Sequence, residues 1–162
     1  MDNYASERVR RLNELNIKPD KGPAPMKKVS ITEKGVNYTV DARESDSVTI
    51  YPIDGVLIKE GLRCDKLITI FKDDIGIALF LELKGGNISH AIDQLESTIR
   101  HPLFLPYPSK KDKTRARIIS SRGVKSASKV KYEDAKIRFR KIYNVDLKLL
   151  SNLQPDDVIR FY

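Results

Sequence analysis

The stretch IGIALFLELK at residues 75–84 alternates between two sets of side chains, and both sets are apolar until Glu82 and Lys84. Neighbouring side chains of a strand point to opposite faces of a sheet, so two apolar sets predict a central strand that is buried on both faces. Side chains two residues apart share a face. Glu82 and Lys84 are therefore expected to lie side by side at the end of a strongly hydrophobic strand.

Further apolar stretches, many of them rich in β-branched residues, predict more strands. These stretches are 29–40, which folds back on itself at Lys34-Gly35, 47–53, 63–71, 115–121 and 145–150. The composition of 72–76 is typical of a turn and joins 63–71 to the central strand as a hairpin. The Pro- and Gly-rich stretch 18–25 predicts a loop.

Apolar residues at helical spacing predict three helices. In 87–100 the apolar residues recur every three or four positions after Asn87 or Ser89, either of which can cap a helix. A shorter helix is predicted over 6–16. Residues 131–143 fit a helix but contain KIRFR, which alternates as a strand does, and we favour the helix.

The order of these elements predicts a single α/β domain. The chain has 162 residues, which suits one domain with one core. The order helix, three strands, helix, strand describes an αβββαβ core with a central mixed sheet flanked by helices. We assign this core to about residues 6–121 and treat residues 122–162 as C-terminal additions.

Composition excludes several classes of protein. The chain is 40 % hydrophobic and 32 % charged, as folded water-soluble proteins are. No apolar run approaches the ~18 residues of a membrane span, and the N-terminus lacks the apolar core of a signal peptide, so we expect a cytoplasmic protein with no membrane partner. One cysteine and two histidines argue against disulfides and structural zinc. No small-molecule cofactor is expected.

The net charge of +8 favours a polyanionic partner such as nucleic acid. Between residues 110 and 131, nine basic residues accompany one acidic residue. Four of them are our candidates for contacts to a DNA backbone: Arg115, Arg117, Arg122 and Lys125. The first two share a strand face, and such contacts position a duplex without reading its sequence. The plainer interpretation is a solvated basic loop.

The embedded charges predict a particular chemistry. Burying Glu82 or Lys84 without a partner costs free energy, so the pair is expected to serve as a mutual ion pair or to perform a task. If the two strands pair across their turn, Asp65 lies opposite Leu83 and beside both charges. Carboxylate oxygens are hard ligands for Mg²⁺ or Mn²⁺. Two carboxylates and a lysine at a sheet edge therefore predict a site for a metal ion and a phosphate group.

This arrangement resembles the PD-(D/E)XK nuclease superfamily, which includes restriction endonucleases and archaeal Holliday-junction resolvases. The resemblance lies in Asp65, the triplet Glu82-Leu83-Lys84 after sixteen intervening residues, and the αβββαβ order. It covers roughly residues 6–121. It implies a restriction-endonuclease-like fold and metal-dependent hydrolysis of phosphodiester bonds.

The resemblance also implies a role for each site residue. Asp65, Glu82 and the backbone carbonyl of Leu83 would hold Mg²⁺ or Mn²⁺, and Lys84 would help to activate the attacking water. Many members place a glutamine on the helix after the E-x-K strand, and Gln94 stands where it is expected. Some carry a further carboxylate on the first helix, for which the candidates are Glu7 and Glu14.

Each candidate also has a plainer interpretation. For Asp65, Glu82 and Lys84 the plainer interpretation is a structural ion-pair cluster or a member that has lost its activity. Gln94 is a good helix former and needs no further explanation. Glu60 is another candidate carboxylate close to the site, although acidic residues are common in loops.

The sequence therefore favours a metal-dependent nuclease that acts on DNA, in a role such as defence or DNA repair. A homodimer is expected, because a duplex has two strands and symmetric pairs are the commonest oligomers. The alternative is a catalytically inactive module on the same fold that binds nucleic acid or a protein partner.

Overall fold

The computed structural model describes residues 14–43, 45, 47–73, 75–84, 86–104, 112–122, 124–151 and 155–156. Its strands are β1 (Lys21–Ala24), β2 (Lys28–Glu33), β3 (Val36–Asp41), β4 (Ser47–Pro52), β5 (Lys66–Lys72), β6 (Ile75–Lys84), β7 (Asp112–Ser120) and β8 (Val145–Ser151). The helices are α1 (Ile88–Ile99) and α2 (Ser126–Arg138), which continues into a π-helical turn (Phe139–Tyr143).

Six strands form one mixed sheet in the order β1-β4-β5-β6-β7-β8. The first four are antiparallel neighbours, whereas β6, β7 and β8 run parallel. Strand pairing therefore changes from antiparallel to parallel at β6. Eight of the ten residues of this strand are buried. The predictions of an α/β domain with a mixed central sheet and of a doubly buried central strand are confirmed.

Two layers cover the two faces of this sheet. The helices pack on one face, where Phe80 of β6 and Leu95 of α1 belong to one apolar cluster. β2 and β3 form a separate two-stranded hairpin on the other face, where Tyr38 clusters with Leu79 and Leu81. The alternation of apolar side chains along β6 thus supplies both clusters at once.

Both described helices follow from local signals. The side chain of Asn87 accepts a hydrogen bond from the His90 N–H at 3.0 Å and caps α1. Residues 131–143 fitted a helix but also contained an alternating, strand-like segment. Here Ala135 and Phe139 are buried while Ile137 between them is exposed. Burial four residues apart is helical spacing, which confirms the helix that we favoured.

The structure departs from the prediction in the N-terminal part. The stretch expected to be a loop contains β1, which pairs with β4 through an irregular register at the edge of the sheet. An edge strand tolerates Pro23, because proline lacks a backbone N–H and the outer side of an edge strand has no neighbouring strand that would need one. The helix predicted over 6–16 lies mostly outside the described residues. No helix in the described part of the chain is long and apolar enough to cross a membrane.

Candidate functional site

Asp65 lies just before β5, beside the end of β6. The register pairs Lys66 with Leu81, yet the Asp65 N–H also donates to the Leu81 carbonyl, at 3.0 Å. Two consecutive residues therefore face one, which is the geometry of a β-bulge. The carboxylate of Asp65 accepts a hydrogen bond from the Leu83 N–H at 2.8 Å. The bulge thus directs this carboxylate along β6 toward the E-x-K triplet.

The expected pairing of Asp65 with Leu83 is wrong, because Asp65 lies in the bulge and the neighbouring pair Lys66–Leu81 is shifted by one residue from the expected register. The hairpin closes at the pair Lys72–Ile75, so its turn is one residue shorter than the turn that we assumed. The side chain nevertheless reaches Leu83, as its hydrogen bond shows. The prediction that Asp65 lies beside the charged end of β6 is confirmed.

Glu82 is fully buried on the face of β6 that α1 covers. Nζ of Lys84 lies 3.4 Å from Oε1 of Glu82, so the two form an ion pair on a shared strand face, as predicted. No residue in the described part of the chain donates a hydrogen bond to either carboxylate oxygen of Glu82. The pKa of Glu82 is raised to about 8: burial raises it most, the charge of Asp65 adds to the rise, and Lys84 lowers it.

The carbonyl of Leu83 faces the side of β6 on which β5 and Asp65 lie. The Leu81 carbonyl accepts from Asp65, and the Lys84 carbonyl accepts from the Ser121 N–H at 3.2 Å, on the side of β7. Carbonyls alternate in direction along a strand, so the Leu83 carbonyl shares the direction of Leu81. Two carboxylates and one carbonyl therefore lie at the same end of β6.

A second lysine reaches the site from the β2–β3 hairpin. Nζ of Lys34, at the turn of this hairpin, lies 3.4 Å from Oδ1 of Asp65. The sequence identified Lys34 only as a turn residue. No sequence signal could have placed it at the site, because the contact depends on how the hairpin packs over the sheet.

Gln94 of α1 holds the segment that leads into Asp65. Its Nε2 donates to the Arg63 carbonyl at 3.1 Å, and its Oε1 is buried with no hydrogen bond from the described residues. One turn later, Oγ1 of Thr98 accepts from the Cys64 N–H at 2.8 Å. Cys64 is fully buried, and burial raises the pKa of its thiol, so it packs as a small apolar residue.

The additional candidate carboxylates within the described residues do not extend this cluster. Glu14 and Glu60 are exposed, and Glu7 lies outside the described residues. In the described part of the chain, no three side chains of His, Cys, Asp or Glu come together in a group that could hold a metal ion. The oxygen atoms gathered at this end of β6 are those of Asp65, Glu82 and the Leu83 carbonyl.

The prediction that Arg117 contacts DNA is wrong, because its side chain is fully buried. Its Nε lies 2.7 Å from a carboxylate oxygen of Asp156, and its Nη2 lies 3.2 Å from one of Asp146. Arg115 shares the strand face with Arg117, as predicted, but it is only 8 % exposed and offers little surface to a phosphate. The β2–β3 hairpin covers this face of the sheet.

Arg122 and Lys125 are exposed near the carboxyl ends of β6 and β7. Cδ of Arg122 lies 3.8 Å from the position that a Cβ on Gly86 would take, two residues after Lys84. Nearby, Nζ of Lys131 donates to Oγ of Ser89 at 3.3 Å, at the start of α1. We call Arg122, Lys125 and Lys131 the basic rim.

Comparison with known proteins gives no assignment. No protein-family model, no curated protein and no solved structure matches the chain. The chemistry of the site therefore rests on its own residues.

Proposed function

We propose that this chain is a metal-dependent nuclease with a restriction-endonuclease-like fold, which hydrolyses phosphodiester bonds in DNA. The observation that carries the proposal is Glu82, which is fully buried near the second carboxylate Asp65 while neither of its oxygens accepts a hydrogen bond from the described residues. Buried carboxylates in proteins are normally hydrogen-bonded or paired at close range. An under-satisfied one beside a second carboxylate suits a cationic ligand.

The donor set fits Mg²⁺ or Mn²⁺. Asp65, Glu82 and the Leu83 carbonyl supply hard oxygen atoms, and Mg²⁺ commonly binds one or two carboxylates while it keeps several waters. These three residues would hold the ion. When bound, it stabilises the charge that develops on a phosphoryl oxygen during hydrolysis.

The remaining residues receive supporting roles in this proposal. Lys84 is 21 % exposed and pairs with the buried Glu82, which supports a role for its ammonium group as a hydrogen-bond donor to the attacking water. Gln94 positions the segment that carries Asp65, through its hydrogen bond to Arg63. The basic rim contacts the phosphates of the DNA backbone without reading its sequence.

The proposal includes a cytoplasmic location and a homodimer. Cutting both strands of a duplex requires two sites, and two copies related by a two-fold axis supply them. Defence against foreign DNA and DNA repair are both compatible roles.

A second candidate function is binding of nucleic acid or of a protein partner without catalysis. The ion pair between Lys84 and Glu82 favours it, since a mutual pair gives both residues a structural role. The basic rim would still serve such a module.

A cleavage assay tests the first proposal against the second. Supercoiled, linear and branched DNA are incubated at low salt with Mg²⁺, Mn²⁺ or EDTA and with the wild type, Glu82→Ala or Lys84→Ala. We expect metal-dependent cutting that falls at least about 100-fold in both variants. Glu133→Ala and Lys141→Ala, which change exposed residues of the same charges, are the matched controls.

Two outcomes contradict the nuclease proposal. Cutting that persists in EDTA, or that survives Glu82→Ala, shows that the carboxylates do not carry the reaction. Absence of cutting together with DNA binding that weakens steeply with salt supports the binding module instead.

A further inference from the structure

The turn of the β2–β3 hairpin places a cation at the entrance to the site. Nζ of Lys34 lies 3.4 Å from Oδ1 of Asp65, and the side chain of Lys34 is 59 % exposed while that of Asp65 is 5 % exposed. β3 packs against β6 and β7, so the hairpin is fastened to the strand that carries Glu82. Lys34 thus joins a buried carboxylate to open solvent.

The electrostatic surroundings keep Lys34 charged. Burial lowers the pKa of its amine, but the carboxylates of Asp65 and Glu82 raise it, and the net shift is upward. Each site carboxylate therefore has its own lysine: Lys84 from β6 itself and Lys34 from the hairpin.

The backbone of the turn does not explain the choice of lysine. The pair Glu33–Val36 closes the hairpin, and the two residues between them have positive φ angles, 54° at Lys34 and 74° at Gly35. Two-residue turns with positive φ at both positions favour Asn, Asp or Gly at the first one. A lysine there is conformationally unfavourable, which points to a role for its side chain.

We propose that Lys34 is a substrate-contacting residue of the nuclease site, which leaves Asp65 when a divalent cation binds there and then contacts an oxygen of a DNA phosphate. This inference rests on the proposed function. An ammonium group and a divalent cation compete for the same carboxylate oxygen because both are attracted to its charge. A phosphate oxygen is a suitable new partner, because charge-assisted hydrogen bonds between ammonium and phosphate are strong.

The first test measures Mn²⁺ binding to the full chain without DNA, by electron paramagnetic resonance. Lys34→Asn removes the charge and suits the positive φ of the turn, so the hairpin is preserved. We expect it to bind Mn²⁺ about threefold to tenfold more tightly than the wild type. Lys28→Asn, which changes an exposed lysine of the same hairpin, is expected to stay within about twofold.

The second test measures DNA cleavage at saturating Mn²⁺. We expect Lys34→Asn to lower the rate constant about 10-fold to 100-fold, because a donor to the phosphate is lost. Lys34→Arg keeps the charge and is expected to retain most of the rate, while Lys28→Asn cleaves as the wild type does.

The outcomes separate this inference from the proposed function. If the wild type cleaves and Lys34→Asn matches it, the contact to phosphate is overturned and the nuclease stands. Slower cleavage with unchanged Mn²⁺ affinity overturns the competition for Asp65. A wild type that cleaves nothing overturns the nuclease and the role of Lys34 together.

Discussion

Charged residues are buried on both faces of the central sheet, and the two groups differ in how they are partnered. On the hairpin face, the fully buried Arg117 contacts carboxylates of Asp156 and Asp146 and donates to the Asp146 carbonyl at 2.8 Å. On the helix face, the fully buried Glu82 has an ion pair with Lys84 at 3.4 Å and no hydrogen bond from the described residues. Arg117 is thus a buried cation with close partners, whereas Glu82 is a buried carboxyl group that lacks them.

The partners of Arg117 extend into a network. Asp156 also accepts a hydrogen bond from the Tyr38 hydroxyl at 2.6 Å, and its backbone N–H donates to the Thr39 carbonyl at 2.8 Å. Burial raises the pKa of Tyr38 well above its usual value, and Asp156 raises it further. This network joins the hairpin, β7 and β8. Burial of a charged group alone therefore does not distinguish the two clusters; the lack of close partners at Glu82 does, and it is the observation on which the proposed function rests.

The largest expected effect on stability comes from replacing Arg117, the buried cation with close partners. Arg117→Met leaves two carboxylates without their buried cation, so we expect the free energy of unfolding to fall by about 3 to 5 kcal/mol. Urea denaturation followed by circular dichroism measures it. Arg43→Met removes an arginine that is 74 % exposed and pairs with Asp41, and should cost less than about 1 kcal/mol. Equal losses in the two variants would contradict the structural role of Arg117.

Replacing the under-satisfied Glu82 should raise the free energy of unfolding, and the size of this effect should depend on pH. The pKa of Glu82 in the fold is about 8 against an ordinary 4.5, so the folded protein keeps a proton that the unfolded chain releases between these values. Stability therefore falls as pH rises from about 4.5 to 8 and is level above that. Glu82→Gln removes this fall, and we expect it to stabilise the protein by about 2 to 4 kcal/mol more at pH 9 than at pH 5. Urea denaturation in EDTA measures this difference.

Glu96 provides the matched control. Hydrogen bonds from Arg138 lower its pKa against the opposing effect of burial, and the Tyr143 hydroxyl adds to the lowering. Its contribution to stability is present at neutral pH and is lost as pH falls through its lowered pKa. Glu96→Gln should therefore destabilise the protein at neutral pH and change little in strong acid. If the stability of Glu82→Gln depends on pH as the wild type does, the pKa of Glu82 is not raised by its burial.

The smallest expected effect concerns the exposed cations. Arg122→Ala should weaken DNA binding a few-fold and reduce the slope of log affinity against log salt by about 1, because one phosphate contact is lost. Fluorescence anisotropy with a labelled duplex between 50 and 200 mM salt, about the range over which such contacts are resolved, measures both quantities. Arg117→Met, assayed where circular dichroism shows it folded, should leave the slope unchanged. A change of slope in Arg117→Met would mean that this arginine reaches DNA after all.

Short-range patterns predicted much of the fold and part of the site. The alternation in β6 placed Glu82 and Lys84 on one face, and the composition of the turn before β6 brought Asp65 to the same end of the sheet. The spacing of apolar residues gave α1, and the structure adds that Gln94 faces the segment before Asp65. The predicted relations depend on residues within one hairpin or one helix, whereas the contact of Gln94 with Arg63 crosses 31 residues and was not predicted.

Relations between distant segments were not predictable in this way. Arg117 was assigned to a DNA surface because its partners Asp146 and Asp156 are 29 and 39 residues away, and nothing in local spacing pairs them. Lys34 escaped notice for the same reason, since it meets Asp65 across 31 residues. β1 was missed because, among the described residues, it pairs in the sheet only with the distant β4, and Pro23 with the prolines on either side of the strand indicated a loop.

The two charged groups also differ in the length of chain that must be closed into a loop to form them, because Asp65 and β6 belong to one short hairpin. The hydrogen bond from Leu83 to Asp65 joins residues 18 apart, whereas the one from Tyr38 to Asp156 joins residues 118 apart. Loop-closure entropy grows with the logarithm of length, which makes the longer closure costlier by roughly 1.7 kcal/mol. Detachment of the segment that carries Asp156 would therefore open the longer loop while the carboxylate pair of β5 and β6 remains closed by its own turn.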